Sequence, residues 1–265
     1  MQSAKKVVGI TLAAAVICAA LAFAIPMPAS WPDSSALYYG LLSLTFCFVV
    51  LHIGAVALFF MALGAYKEQL RRAFFIICTS IMLLALGLLQ LPVISALNFW
   101  ASAWVTHGGI GTPFLLAEIT AYFGVRSLAK LIGLKSVLMK PLIVLPVLAA
   151  VNALTALLPH VKTATPENAY DLSVAVLSWG AMLYFATAAL AFLLYRHIGA
   201  HYKNAVAWLF LALLETAIAM TLAMLATLLS SRNQDGWSVA TDIVALLTGL
   251  TYLRAALVFF KTKEY

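Results

Sequence analysis

Apolar runs long enough to cross a lipid bilayer recur along the whole chain, separated by short polar breaks. A crossing helix needs roughly 20 apolar residues at about 1.5 Å rise each, because hydrocarbon offers no partner to unpaired peptide groups. Eight segments meet this requirement, near residues 7–25, 36–65, 73–97, 113–133, 141–159, 171–195, 204–230 and 238–260. Of the 265 residues 65% are hydrophobic and 9% are charged, whereas a soluble domain solvates its surface with about a quarter charged residues. The expected fold is an all-α polytopic membrane protein: one transmembrane domain of eight helices over residues 1–265, with no soluble domain.

Lys and Arg flanking membrane spans are kept preferentially on the cytoplasmic side. Lys5, Lys6, Lys67, Arg71, Arg72, Lys135, Lys140, Arg196, Lys203, Lys261 and Lys263 fall on one side, and Arg126, Lys130 and Arg254 lie on helix ends leading there. The other side holds Lys162 and Arg232. The expected topology therefore has both termini cytoplasmic, in a cell membrane, and the net charge of +7 is mostly a topological signal. No basic cluster is long enough to serve as a nucleic-acid-binding arm, so the expected partners are the bilayer and other membrane chains, whether further copies or different subunits. Lys5 and Lys6, the apolar run after them and Ala22-Phe23-Ala24 imitate a secretory signal with its cleavage site. The run exceeds the usual signal length, so residues 1–24 are expected to remain as the first span.

Cys18, Cys47 and Cys78 lie within apolar runs without CxxC spacing, which points to buried thiols rather than a disulfide framework or a metal site. Trp31, Trp100, Trp104 and Trp237, with Tyr38, Tyr39 and Tyr170, gather toward the outer span ends, as an interfacial aromatic belt requires.

The two halves, 1–135 and 136–265, share an order of elements. Trp31-Pro32-Asp33 precedes the second span and Thr165-Pro166-Glu167 the sixth, each reading as a helix start. Glu118 followed by Arg126 in the fourth span corresponds to Asp242 followed by Arg254 in the eighth, and Tyr66-Lys67 to Tyr202-Lys203. Four spans per half give both halves one orientation, a parallel repeat about an axis along the membrane normal. Caps and terminal cations common to all membrane helices explain the same matches without duplication.

Ionisable groups at membrane depth cost about 2.5–3.5 kcal/mol to insert, so those that persist are usually paired or functional. Glu215, in the middle of the seventh span, is the leading substrate- or ion-binding candidate; an ion pair or hydrogen bond to Arg126, Arg254 or Asn152 is its structural alternative. His52, near mid-depth in the second span, can relay a proton or simply fill the core. Glu118 and Asp242 sit near the outer ends of their spans, where contact with headgroups or water is expected. Arg126 and Arg254 lie in the inner third, placed to anchor at headgroups or to pair with Glu118 or Glu215. The glycine-rich loop Trp104–Pro113 reads as an outer turn or a cavity lining, and Pro92 and Pro146 as kinks that can free carbonyls.

Thr112-Pro113-Phe114-Leu115-Leu116 and Asp242-Ile243-Val244-Ala245-Leu246 resemble, over about ten residues, parts of the third and last helices of microbial rhodopsins. That family binds retinal through a lysine four residues after the aspartate; Leu246 stands there, so a retinal Schiff base is excluded and no family is assigned. No second histidine shares the depth of His52, which disfavours haem, and no cofactor or metal is expected. GxSxG, HExxH and P-loop signatures are absent, so no enzyme is indicated. Two functions remain: a small transporter or ion-translocating protein with a midplane polar site built on Glu215, His52 and Asn152, or a non-catalytic accessory subunit or sensor module of a larger membrane complex. Small residues such as Gly54, Ala57, Ala186 and Ala189 mark faces for close helix contact, internal or with a partner.

Overall fold

In the computed structural model, residues 2–27, 35–64, 66, 68–96, 111–134, 144, 166–228 and 234–262 are described. Among them the chain forms seven α-helices and one 3-10 turn, with no strand. We number them α1 (Gln2–Leu21), α2 (Ser35–Leu63), α3 (Glu68–Ala96), α4 (Gly111–Leu131), α5 (Pro166–His197), α6 (Ala200–Leu228) and α7 (Gln234–Thr262). The 3-10 turn, Ala22–Ala24, follows α1.

Six of the seven helices are long and apolar enough to cross a membrane. The exception is α4, which carries Glu118, Arg126 and Lys130 within its 21 residues. The expected fifth span, 141–159, lies outside the described residues apart from Val144, as do Pro146, Asn152 and most of the loop Trp104–Pro113. The fourth helix begins at Gly111, two residues before the expected start, and α3 continues through Pro92 to Ala96.

Leu, Ala, Val and Phe dominate the helices, and their hydroxyl residues bond within them. Thr11, Thr45, Thr79, Thr187, Thr216 and Thr248 each donate to the carbonyl four residues earlier at 2.7–3.0 Å. This removes the cost of an unpaired hydroxyl in an apolar medium. One helix end shows its stop signal clearly: after α4, Gly133 adopts φ 72°. Its amide donates to the Lys130 carbonyl at 3.0 Å and that of Leu134 to Ala129 at 3.1 Å, the paired bonds of a glycine-terminated helix.

Six helices close a ring in which each packs on its neighbours in the order α2, α3, α4, α5, α6, α7 and back to α2, while α1 lies outside against α2. Directions follow from specific contacts. Ser43 donates to the Ala19 carbonyl at 3.0 Å and Cys47 to that of Ala15 at 3.4 Å, so α1 and α2 are antiparallel. A methyl placed on Gly87 would meet Phe114, and one on Gly124 would meet Ile77, which sets α3 antiparallel to α4. The pairs α2/α3 and α5/α6 are hairpins, with Phe59 stacked on Phe74 and Phe192 tilted against Phe210. Arg254 over Trp208 and Thr216 beside Tyr252 set α6 antiparallel to α7.

Two neighbouring pairs are parallel. His52 meets Tyr252, Phe59 meets Phe259, and Tyr66 donates to the Phe259 carbonyl at 2.6 Å, so α2 and α7 run together. Glu118 lies against Gly180, and Leu128, Leu131 and Ile132 share a cavity wall with Leu194 and Ile198, so α4 and α5 also run together.

Lys5, Lys6, Arg71, Arg72, Lys130, Arg196, Lys203 and Lys261 stand toward one end of this bundle. There Tyr66 joins the α2–α3 connection to α7, and burial pushes its phenol up from the ordinary range. The perimeter is apolar: Ile10, Val16, Phe60, Phe75, Phe123, Phe185, Phe192 and Leu247 are exposed, the surface that lipid contact demands. Tyr38 departs from the aromatic-belt expectation. It packs inward with Ala22 and Leu42, its hydroxyl 3.4 Å from the Pro26 carbonyl.

Candidate functional site

The ring interior is lined by large apolar side chains, but every helix of the ring also places a polar group on a buried face. These are His52 from α2, Ser80 from α3, Glu118 from α4, Tyr184 from α5, Thr216 from α6 and Tyr252 from α7. Tyr184 defines the interior. Its phenol lies close to Ser80, Glu118 and Tyr252, although α5 packs on neither α3 nor α7. It therefore reaches across the ring rather than into a seam between neighbours.

Glu118 is 1% exposed, and neither of its carboxylate oxygens has a hydrogen-bond partner. This overturns the expected outer, headgroup-facing position. Seven residues separate it from the start of α4, or about 10 Å of helix, and its direction turns it inward against Gly180 of α5. The absent side chain at Gly180 makes the room that the carboxyl occupies. Ser80 of α3 donates to the Ala117 carbonyl at 2.6 Å rather than to the carboxyl, and stands beside the Tyr184 hydroxyl.

His52 is fully buried, as its mid-span position implies. Its Nδ1 lies 2.8 Å from the Phe48 carbonyl, so that nitrogen carries the proton as donor. Nε2 is left as a buried acceptor with no partner. The ring packs between Phe48 at 4.0 Å and Tyr252 at 5.3 Å between centroids. The Tyr252 hydroxyl is 3.4 Å from that of Thr216.

Glu215 is half-buried, with Thr251 and Tyr252 beside it and one carboxylate oxygen buried and unpartnered. It borders the interior but is less enclosed than Glu118. Asp242 is half-buried toward the start of α7. Neither arginine pairs with Glu118 or Glu215, the alternative to headgroup anchoring. Among the described residues the recorded pair is Arg72 with Glu68 at 2.5 Å, exposed within one turn of α3. Arg254 is exposed over the Trp208 ring, 5.6 Å from its centroid. Arg126 lies near Tyr122 with its Nε buried and unpartnered. No grouping of His, Cys, Asp and Glu suited to a metal occurs among the described residues.

At the basic end a cavity of about 350 Å³ opens between α3, α4, α5, α6 and α7, lined by Phe74, Leu128, Leu194, His201, Val206 and Phe259 among others. His201 closes its rim, its Nε2 2.8 Å from the Thr262 carbonyl.

Comparison with known protein families, curated proteins and solved structures finds no match. The function must therefore be read from the geometry.

Ser80, Tyr184, Thr216 and Tyr252 are the members of this cluster that sequence reasoning missed. Their signal is faint, since a tyrosine, serine or threonine in an apolar run is ordinary and only the direction it faces distinguishes it.

Proposed function

We propose that the protein is a small transporter or ion-translocating protein whose interior site is centred on Glu118, with Tyr184, Ser80, His52 and Tyr252 around it. The carrying observation is the enclosure of a carboxyl group with both oxygens unpartnered at the heart of a membrane ring. Such a group costs several kcal/mol when ionised and unpaired, so a chain that retains it gains most when a proton or cation occupies it. The phenols of Tyr184 and Tyr252 and the free Nε2 of His52 can each donate to or accept from a moving proton. Glu215, beside Thr251, borders the same interior from α6.

The proposed topology has eight crossings with both termini cytoplasmic. The parallel run of α4 and α5 supports it, because the chain between Leu134 and Pro166 must return the length of the bundle. The gathering of cations at one end supports the orientation.

The test is flux into liposomes carrying the purified protein, under an imposed potential, read with dyes for protons, sodium and potassium. Glu118→Gln keeps the shape and removes the charge; it should abolish flux while the protein still elutes as a folded species with unchanged helix content. Wild-type protein that moves none of the three ions, or Glu118→Gln that moves them at the wild-type rate, refutes the reading.

A further inference from the structure

The two halves of the ring bury the same positions at nearly one spacing. Between α2 and α5 it is 132 residues: Leu51, His52 and Leu58 are buried, as are Leu183, Tyr184 and Leu190, while Ile53 and Phe60 are exposed, as are Phe185 and Phe192. The same 132 relates α3 to α6, with Ala73, Ile77 and Ile81 buried like Ala205, Leu209 and Leu213, and Leu86 exposed like Ile218. Between α4 and α7 it is 131: Val125 and Ala129 are buried like Ala256 and Phe260, and Leu116 is exposed like Leu247.

Any two helices can be slid into phase, because burial repeats every 3.6 residues or so. A spacing held through three successive helices and their connections is what duplication of one unit produces. The contacts agree: α4 packs parallel on α5 as α7 packs parallel on α2, so a half-turn about the ring axis exchanges the two halves. In this register Tyr184 answers His52, and Gly249, which lies against His52, answers Glu118, which lies near Tyr184. Asp242, paired with Glu118 by sequence likeness, does not.

Among the described residues the first half has one helix more than the second. α1 runs antiparallel along α2, with Ala15 at Cys47 and Thr11 against Gly54. The positions answering Cys47 and Gly54 are Trp179 and Ala186 on α5. The chain has 31 residues between Leu134 and Pro166 with which to return along the bundle, enough for one crossing of about 20 residues.

We propose that the chain is two tandem four-helix units, 1–135 and 136–265, and that the segment 141–159 is the second unit's counterpart of α1, seated along Trp179 and Ala186 on the outer side of α5. The same half-turn makes the interior functionally unequal, with a carboxylate in one half and a glycine at the matching place in the other. This inference rests on the contacts and the burial register, not on the transport reading.

Cysteine pairing in native membranes tests it. With Cys18 and Cys78 replaced by alanine, Ala15→Cys and the native Cys47 form the reference pair. In a chain lacking all three native cysteines, Trp179→Cys is combined in turn with cysteine at each of positions 143 to 151, and each variant is oxidised with copper phenanthroline. The expected result is a bond within one chain at positions about a helical turn apart, centred on Val147. Three results would overturn the proposal: no bond at any position while the reference pair closes, bonds only between separate chains, or labelling of Trp179→Cys by a maleimide dissolved in the bilayer.

Discussion

Replacing Gly180 by alanine should reveal how tightly Glu118 is held. A methyl on Gly180 would fall well inside van der Waals contact with Oε1 and Cδ of Glu118. In the wild-type background that overlap should cost about 1–3 kcal/mol, against a gain of about 0.8–1.0 kcal/mol from putting alanine in place of glycine inside a helix. The net is a loss of about 0–2 kcal/mol. With Glu118 shortened to alanine the obstacle is gone and the helix preference alone remains, so the same substitution should stabilise by up to about 1 kcal/mol. The coupling between the two positions is therefore expected at about 1–3 kcal/mol, as for residues in direct contact. Unfolding of the detergent-solubilised protein, followed by circular dichroism through a denaturant titration of all four variants, measures it. An equal effect of Gly180→Ala in both backgrounds would refute the placement of the carboxyl against α5, and with it the interior site.

Two further substitutions test the frame around the site. Gly124→Ala brings a methyl against Ile77 Cγ1 and within 3.2 Å of the Ile77 amide nitrogen; because backbone cannot yield, the protein should lose about 1–3 kcal/mol of stability in the same titration, and an unchanged midpoint would mean that α3 and α4 do not meet there. Tyr66→Phe removes the 2.6 Å bond to the Phe259 carbonyl; stability should fall by about 1 kcal/mol with faster hydrogen exchange at the end of α7, and unaltered exchange would show that the bond does not hold the basic end together.

The membrane class and most of the helices were legible because hydrocarbon imposes a length and a composition that one sequence displays. The limits of the six apolar helices fall within several residues of the apolar runs, although α1, α3 and α5 each start five residues earlier and α6 and α7 four. The helix that fails the apolar criterion, α4, shows what composition omits. Its Glu118 is turned into the ring and its Lys130 stands at the basic end, so charges that lower its mean hydropathy are placed where lipid does not meet them.

The burial of the two acids departs from their depth for a related reason. Counting residues from a span end measures depth along the bilayer normal, and by that measure Glu215 looked central and Glu118 peripheral. Burial depends equally on the direction a side chain faces, which advances about 100° per residue on a helix of 3.6 residues per turn and is fixed only when the neighbours are known. On α6 the interior position belongs to Thr216, and Glu215 sits one step round from it, half-covered beside Thr251. On α4 the interior position is Glu118 itself, because Ala117 and Ala121 pack the adjoining face closely and Gly180 leaves the space opposite. The same geometry explains why Arg254 answers no acid among the described residues. Arg254 faces outward over Trp208, on the side of α7 away from Glu118. Among the described side chains no cation pairs with the Glu118 carboxyl.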